Sequence, residues 1–331
     1  MNRQERVLVT TVPFGELDEQ PIRILREVGL EVVLNPLGKK LRSTELAELI
    51  SDFDYLIAGT EVIDAAVIEQ AKRLKLIARV GIGLDGLDLL AARAKGIPVT
   101  YTPDAPSDAV AELTIGLMIS CLRQLHVANQ RMHSGQWHRH FGRRFENCTV
   151  GLLGLGRIGS RVARLLEPFR PKVILGHDLR PLESLELPPG IVPASFEQVI
   201  NESDLLSIHV PLTESTRQLI GSTELSRMRF GSMIVNTARG GIVDEGALLE
   251  ALTSGHIATA ALDVFTEEPY SGPLRTLENA VLTSHMGSMS VDSRFRMELE
   301  AATEVQRLVS GAGLRQLVPE SEYALKEIEL S

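Results

Sequence analysis

The stretch Val150-Gly-Leu-Leu-Gly154-Leu-Gly156-Arg157-Ile158-Gly159 constrains this chain most, because it joins an apolar strand to a helix through a G-x-G-x-x-G turn. Each glycine of such a turn has a physical reason: a tight bend, close approach of backbone to a pyrophosphate, and close packing of helix on strand. The pyrophosphate rests on the helix N-terminus, where unpaired N–H groups favour an anion. The motif alone is weak, and its flanks supply the context. Residues 148–153 read as a buried parallel strand, 160–167 as a helix that Pro168 and Pro171 close, and 172–176 as the next strand. Asp178 falls 19 residues after Gly159. From there an acid can accept hydrogen bonds from an adenosine ribose 2′-hydroxyl, which favours NAD over NADP. A solvated turn residue is the plainer alternative for Asp178, and Arg180 is a nearby cation that could tolerate a 2′-phosphate.

The turn sits in mid-chain, and 331 residues suggest about two domains at roughly 150 each. The net charge of −9 argues against a general nucleic-acid or anionic-membrane surface, while a local basic pocket could still take a small anion. Cys121 and Cys148 lie in apolar segments without metal-ligand spacing, so buried free thiols, no metal and a reducing compartment are expected. The first residues run straight into a strand without the apolar core of a signal peptide. The most apolar helix, around 109–122, contains Glu112 and is too short to span a bilayer. A soluble cytoplasmic protein with no membrane or nucleic-acid partner is the expectation.

Strands alternate with helices from start to finish, the pattern of parallel α/β sheets covered on both faces. Early strands are expected at 7–12, 31–34, 55–58, 76–80 and 99–102, with helices such as 20–28, stopped by Gly29, and 44–50. Thr102-Pro-Asp-Ala-Pro106 is a turn-rich break before a long helix opening near Ser107 or Asp108. A final helix over 291–309 carries Phe295, Leu299, Ala302, Val305 and Val309 on one stripe and has no sheet of its own. The predicted fold is therefore two doubly wound parallel-sheet domains with a hinged cleft. A flavodoxin-like substrate domain spans 1–103 plus 289–331, and a Rossmann dinucleotide domain spans 104–288.

Three segments of the second half end strands in loops, where open parallel sheets bind ligands. They are Met233-Ile-Val-Asn-Thr-Ala-Arg239-Gly-Gly241, Ala260-Ala-Leu-Asp263-Val-Phe-Thr-Glu-Glu268-Pro269 and Val281-Leu-Thr-Ser-His285-Met-Gly287. An arginine, a carboxylate and a histidine are the parts that hydride transfer to or from a 2-hydroxy acid needs. The guanidinium grips the substrate carboxylate and polarises the reacting oxygen; the imidazole exchanges the hydroxyl proton near neutral pH; the carboxylate fixes the ring. Taken singly, each has a bland reading: an ion pair, a turn before proline, a satisfied histidine.

Together, these motifs resemble the D-isomer-specific 2-hydroxyacid dehydrogenase family over nearly the whole chain. The resemblance also rests on His209-Val-Pro211-Leu-Thr with Thr216, and on N-T-A-R-G-G-I-V-D-E-G-A-L and D-V-F-T-E-E-P. It implies an NAD-dependent enzyme with catalytic Arg239, Glu268 and His285. It implies NAD contacts from Gly154, Gly156, Arg157, Ile158, Gly159, Asp178, His209, Pro211, Thr216, Thr237, Ala238 and Asp263. Arg79-Val80-Gly81-Ile82-Gly83 matches the segment whose backbone N–H groups bind the substrate carboxylate; glycines suit such a nest. Arg79 resembles phosphoglycerate-type members and could hold a second anionic group, so a 3-phosphoglycerate-like or phosphonate substrate is expected. Glyoxylate or hydroxypyruvate reduction is the alternative, and an NAD-sensing corepressor-like interaction protein is another of a different class. Formate oxidation is disfavoured, since it needs no acid–base pair.

Several departures qualify the match. The histidine segment reads His-Met-Gly-Ser-Met-Ser rather than His-Ile-Gly-Gly-Ser-Thr, and Gly59-Thr60 stands where some phosphoglycerate enzymes have an arginine. With Ser331 the last residue, the regulatory domains of longer relatives, and serine feedback through them, are not expected. Gly135-Gln-Trp137 matches a loop that packs on a second subunit in relatives, so a homodimer is expected; a core tryptophan is the other reading.

Overall fold

A computed structural model of the chain describes residues 3–330. Two units are resolved by their internal contacts: one runs to Pro106 and resumes at Met289, and the other is Ser107–Ser288. The first holds β1 (Arg6–Val9), α1 (Gln20–Glu27), β2 (Glu31–Leu34), α2 (Ser43–Leu49), β3 (Tyr55–Ala58), α3 (Ala65–Gln70), β4 (Leu76–Arg79), α4 (Leu89–Ala94) and β5 (Val99–Thr100). Its five strands are all parallel, in the order β2-β1-β3-β4-β5. The period-2 alternation of a strand explains why these segments are apolar throughout. Leu8, Leu56 and Ile77 enter the core on one face, while Val7, Val9, Ile57, Leu76 and Ala78 enter the core on the other.

The second unit holds α5 (Ser107–Arg123), α6 (Leu125–His133), β6 (Thr149–Leu153), α7 (Arg157–Leu166), β7 (Val173–His177), β8 (Ile191–Pro193), α8 (Phe196–Glu202), β9 (Leu205–Ile208), α9 (Ser222–Arg227), β10 (Ser232–Asn236), α10 (Glu245–Thr253), β11 (Ile257–Leu262) and β12 (Ala280–Leu282). Seven parallel strands run β12-β11-β10-β9-β6-β7-β8. The order reverses at β6, which makes the β6/β9 boundary the switch point at which doubly wound sheets bind ligands. Both chain halves are thus parallel-sheet α/β folds.

The remaining helices, α11 (Val291–Val309) and α12 (Glu320–Leu330), belong to the first unit. Met297, Ala301, Ala302 and Val305 of α11 share a core with Ile22 and Leu25 of α1. The apolar stripe read from the sequence is displaced here, because Phe295, Leu299 and Val309 are only half-buried. The inward face instead carries Arg294 and Glu298, paired at 2.6 Å. Arg294 Nη2 also donates to Thr11 Oγ1 at 2.9 Å, and Glu298 Oε2 accepts from Gly15 N at 2.8 Å. A hydropathy pattern scores charges outward, whereas this pair is buried with its hydrogen-bonding capacity met by loop groups.

Other differences lie at boundaries. β1 ends at Val9 rather than 12, because Thr10 and Thr11 already belong to the loop and Pro13 has no N–H for a ladder. β5 has two residues, and α7 starts at Arg157, three residues earlier than its apolar pattern indicated. Cys121 and Cys148 are free and buried; burial pushes the Cys121 thiol up to about 12. Trp137 is 81% exposed and not a core residue. Among the described residues no single helix is long and apolar enough to cross a membrane, and no cluster of three acidic, His or Cys groups could hold a metal.

Candidate active site

β10, β11 and β12 are neighbours in the second sheet, so the loops leaving their carboxyl ends meet despite their separation in sequence. A Cβ at Gly240 would fall 2.0 Å from the carbonyl of Phe265, which shows how closely the Arg239–Gly240 bend lies against the turn leading to Glu268. From that turn Glu268 reaches His285, with Oε2 and Oε1 at 2.9 and 3.0 Å from Nδ1. Phe265 N donates to Glu268 Oε1 at 3.2 Å and steadies the carboxylate. Glu267 is exposed and takes no part in this pair. Arg239 Nη1 donates to Ala238 O at 2.7 Å. The bend is clamped by Asn236, whose Nδ2 donates to Arg239 O and whose Oδ1 accepts from Ala238 N.

His285 has a φ of +51°, a region where residues with a Cβ are uncommon. Asp263, buried at the end of β11, holds it there. Its main-chain carbonyl accepts from His285 N at 2.7 Å, and its carboxylate accepts from Thr283 Oγ1 at 2.6 Å, Met286 N at 2.9 Å and Gly287 N at 2.8 Å. Asp263 therefore wraps the histidine loop around itself, a task its expected cofactor contact did not include. Thr237 likewise turns inward, 2.8 Å from Thr114 on α5.

The glycine turn lies at the switch point. Gly154 has φ +89°, and a Cβ there would lie 2.6 Å from His209 O; one at Gly159 would lie 2.0 Å from Gly154 O. Bulk is excluded because α7 and the β9 loop press against the turn. Gly156 differs: its nearest neighbour would be Arg180 Nη2 at 3.9 Å, so the space above the first turn of α7 is open. His209 Nε2 is 2.9 Å from Ser207 Oγ, and burial lowers its pKa to about 3, so the ring is neutral. Thr216 Oγ1 donates to Pro211 O at 2.7 Å and accepts from Thr213 N, folding that loop on itself.

Asp178 accepts four hydrogen bonds: Leu155 N and Arg180 Nη2 on Oδ2, Arg180 N and Nε on Oδ1, all between 2.8 and 3.0 Å. Burial opposes its ionisation, but the Arg180 guanidinium and the two amides outweigh burial and hold the carboxyl at about 2.

In the first unit the nest at the end of β4 is narrower than its sequence suggests. Val80 N donates to Ala58 O and Gly81 N to Thr102 Oγ1 at 2.8 Å, so neither amide is open to an anion. Ile82 and Gly83 keep amides without an internal partner among the described residues. Arg79 folds over the turn, Nε donating to Gly83 O at 3.1 Å and Nη1 to Val80 O at 2.7 Å.

Residues 115–287 match the NAD binding domain of D-isomer specific 2-hydroxyacid dehydrogenases. The chain belongs to that family. It is 38% identical over 314 residues to a D-3-phosphoglycerate dehydrogenase of Methanocaldococcus jannaschii, covering 92% of this chain and 58% of that protein. It is 37% identical over 297 residues to a hydroxypyruvate reductase of Thermotoga maritima, covering 87% of this chain and 94% of that one. A solved Thermus thermophilus structure superposes with a TM-score of 0.86 at 36% identity, covering 95% of this chain and 100% of its own. The chain thus spans little more than half the length of the archaeal relative.

The family's nucleotide fits the residues present. Gly154 and Gly159 bring strand, loop and helix as close as backbones allow, and the open face of Gly156 leaves the N-terminal amides of α7 able to take a pyrophosphate. Asn236, Thr283 and Thr102 lie in segments quoted from the sequence but were given no site role there. Their signal was only adjacency to a motif, since their hydrogen bonds are made across the fold.

Proposed function

We propose that the chain is an NAD-dependent oxidoreductase interconverting a D-2-hydroxy acid and its 2-oxo acid, with a second anionic group on the substrate as in 3-phosphoglycerate or a phosphonate. The observation that carries this reading is the Glu268–His285 pair, 2.9 Å apart, beside the Arg239 bend. Bound NAD supplies the acceptor for the hydride that leaves C2. Glu268 accepts from Nδ1–H of His285, which sets the tautomer and leaves Nε2 as the base. In oxidation Nε2 takes the hydroxyl proton as the C2–O bond becomes a carbonyl; in reduction the same atom returns it. Arg239 holds the carboxylate and the reacting oxygen through its planar fork of donors. Ile82 and Gly83 supply amides to the substrate carboxylate, and Arg79 supplies charge for the second anionic group.

One observation favours a smaller substrate such as glyoxylate or hydroxypyruvate. A Cβ at Gly59 would lie 2.9 Å from Thr11 Cα, so position 59, after β3, has no room for a basic side chain. The deciding measurement is a steady-state panel of 3-phosphoglycerate, glycerate, lactate and phosphonate acids. Replacing His285 with Ala should lower turnover on the best substrate by about 10² or more, the loss expected for a general acid–base group. Undiminished turnover would remove the assignment.

A further inference from the structure

Glu245 lies in the Asp-Glu-Gly-Ala-Leu run, and the chemistry described so far gives it no task. It is the first residue of α10, whose N-cap Asp244 already accepts from Gly246 N at 2.9 Å and Ala247 N at 3.0 Å. The Glu245 carboxylate instead reaches across the fold, where Oε1 accepts from Thr266 N at 2.7 Å. That N–H belongs to the peptide joining Phe265 to Thr266. Phe265 N in turn donates to Glu268 Oε1 at 3.2 Å, and Glu268 Oε2 is 2.9 Å from His285 Nδ1. The same peptide is pressed by Gly240, where a Cβ would stand 2.0 Å from Phe265 C and 2.5 Å from Thr266 N. The Phe265 and Tyr270 rings stack with centroids 4.2 Å apart and join the two ends of the turn. One peptide thus meets α10 and the Arg239 bend, and its neighbouring N–H holds the carboxylate that orients His285.

We propose that Glu245 is a positioning residue for the proton-transfer pair: by holding the Phe265–Thr266 peptide it keeps Glu268 against Nδ1 of His285. Its consequence for turnover rests on the functional reading above; its consequence for the imidazole does not. Thr266 is exposed, so without Glu245 its N–H turns to water and the turn loses its tie to α10. Glu268 then no longer fixes the proton on Nδ1, and the ring populates the tautomer with the proton on Nε2. That nitrogen cannot accept a hydroxyl proton. The plainer role for Glu245 is a negative charge in the first turn of a helix, favoured there by the helix dipole. The two roles ask for different things. A hydrogen bond to Thr266 N needs an acceptor at the right reach, whereas the dipole needs only charge.

Two conservative variants separate them. Glu245→Gln keeps an acceptor oxygen at the same reach and removes the charge. Glu245→Asp keeps the charge and draws the carboxylate back by about 1.5 Å, out of hydrogen-bond range of Thr266 N. Imidazole proton–nitrogen spectra of the whole chain without substrate, with the His285 signals identified by their loss in His285→Asn, read the tautomer. Wild type and Glu245→Gln should carry the His285 proton on Nδ1, and Glu245→Asp should show a mixture with Nε2. Turnover of 3-phosphoglycerate with NAD, and of hydroxypyruvate with NADH, should fall about five- to tenfold in Glu245→Asp, the scale of one hydrogen bond, and stay within about twofold in Glu245→Gln. The reverse ranking would make Glu245 a helix-dipole charge and overturn the proposal. Equal losses in both variants, or the wild-type tautomer in both, would overturn it as well. A Glu245→Asp chain with the wild-type tautomer and a lowered urea midpoint would show that Glu245 only stabilises the fold. If the wild type turns over neither substrate, the dianionic and hydroxypyruvate readings of the site fall, while the tautomer spectra still decide the role of Glu245.

Discussion

Two glycine turns close the ends of parallel strands in this protein, and they are built differently. After β6, the turn runs at once into the ten-residue α7, and backbone touches backbone: Gly159 would place a Cβ 2.0 Å from a carbonyl. After β4, the turn is followed by a loop until α4, and the nearest atoms to a Cβ on Gly81 belong to the Arg79 side chain, at 3.5 Å. One turn is held by rigid secondary structure and keeps its helix amides for a ligand. The other is held by side chains, with Thr102 occupying one amide and Arg79 bracing two carbonyls. A turn fixed by backbone serves a ligand part common to many reactions, such as a pyrophosphate. A turn fixed by side chains can be retuned for a particular substrate.

The contrast breaks if the two turns respond alike to added bulk. Gly159→Ala should destabilise the second unit by about 3 kcal/mol, at the upper end of overpacking costs, and abolish calorimetric NAD binding. Gly81→Ala, with φ +131° but only a flexible side chain in the way, should cost about 1–2 kcal/mol for backbone strain. Equal losses in urea unfolding would remove the distinction.

A smaller effect sharpens the side-chain half of the contrast. Arg79→Ala should raise KM for dianionic substrates by about tenfold while leaving lactate within a few-fold, as expected for one charged hydrogen bond. A matching rise for lactate would reduce Arg79 to a brace for the turn.

A further effect, read from pH, concerns the wall behind the backbone-built turn. His209 has a folded pKa of about 3, against about 6.5 in an unfolded chain. Between those values the unfolded state binds the extra proton, so stability falls as pH is lowered from 6.5 toward 3, by at most about 1.4 kcal/mol per pH unit. His209→Gln should flatten that slope relative to wild type in denaturant titrations at pH 7 and pH 5. Parallel slopes would mean that His209 titrates normally in the fold.

Much of the architecture was legible because strand and helix periods are local. Strands 31–34 and 55–58 and helix 291–309 follow directly from apolar runs and their stop signals. Less was legible at the inward face of α11, where Arg294 and Glu298 are buried against loop groups from residues 11–15. Charges in a helix read as solvent-facing until partners far away in sequence are known. Among the candidate site residues, motif spacing identified Arg239, Glu268 and His285 as chemistry-bearing types. It could not reveal that Val80 and Gly81 lose their amides to Ala58 and Thr102, or that Thr237 faces Thr114.

The sequence by itself determined two parallel α/β units and a dinucleotide turn, because alternation, glycine spacing and helix stops act over a few residues at a time. Only the tertiary structure decided that Asp263 shapes the His285 loop, that the nest after β4 is half closed, and that Asp178 already holds Arg180. Those outcomes depend on which donors reach each acceptor first. That competition is settled by distances between loops, which no local pattern in the chain encodes.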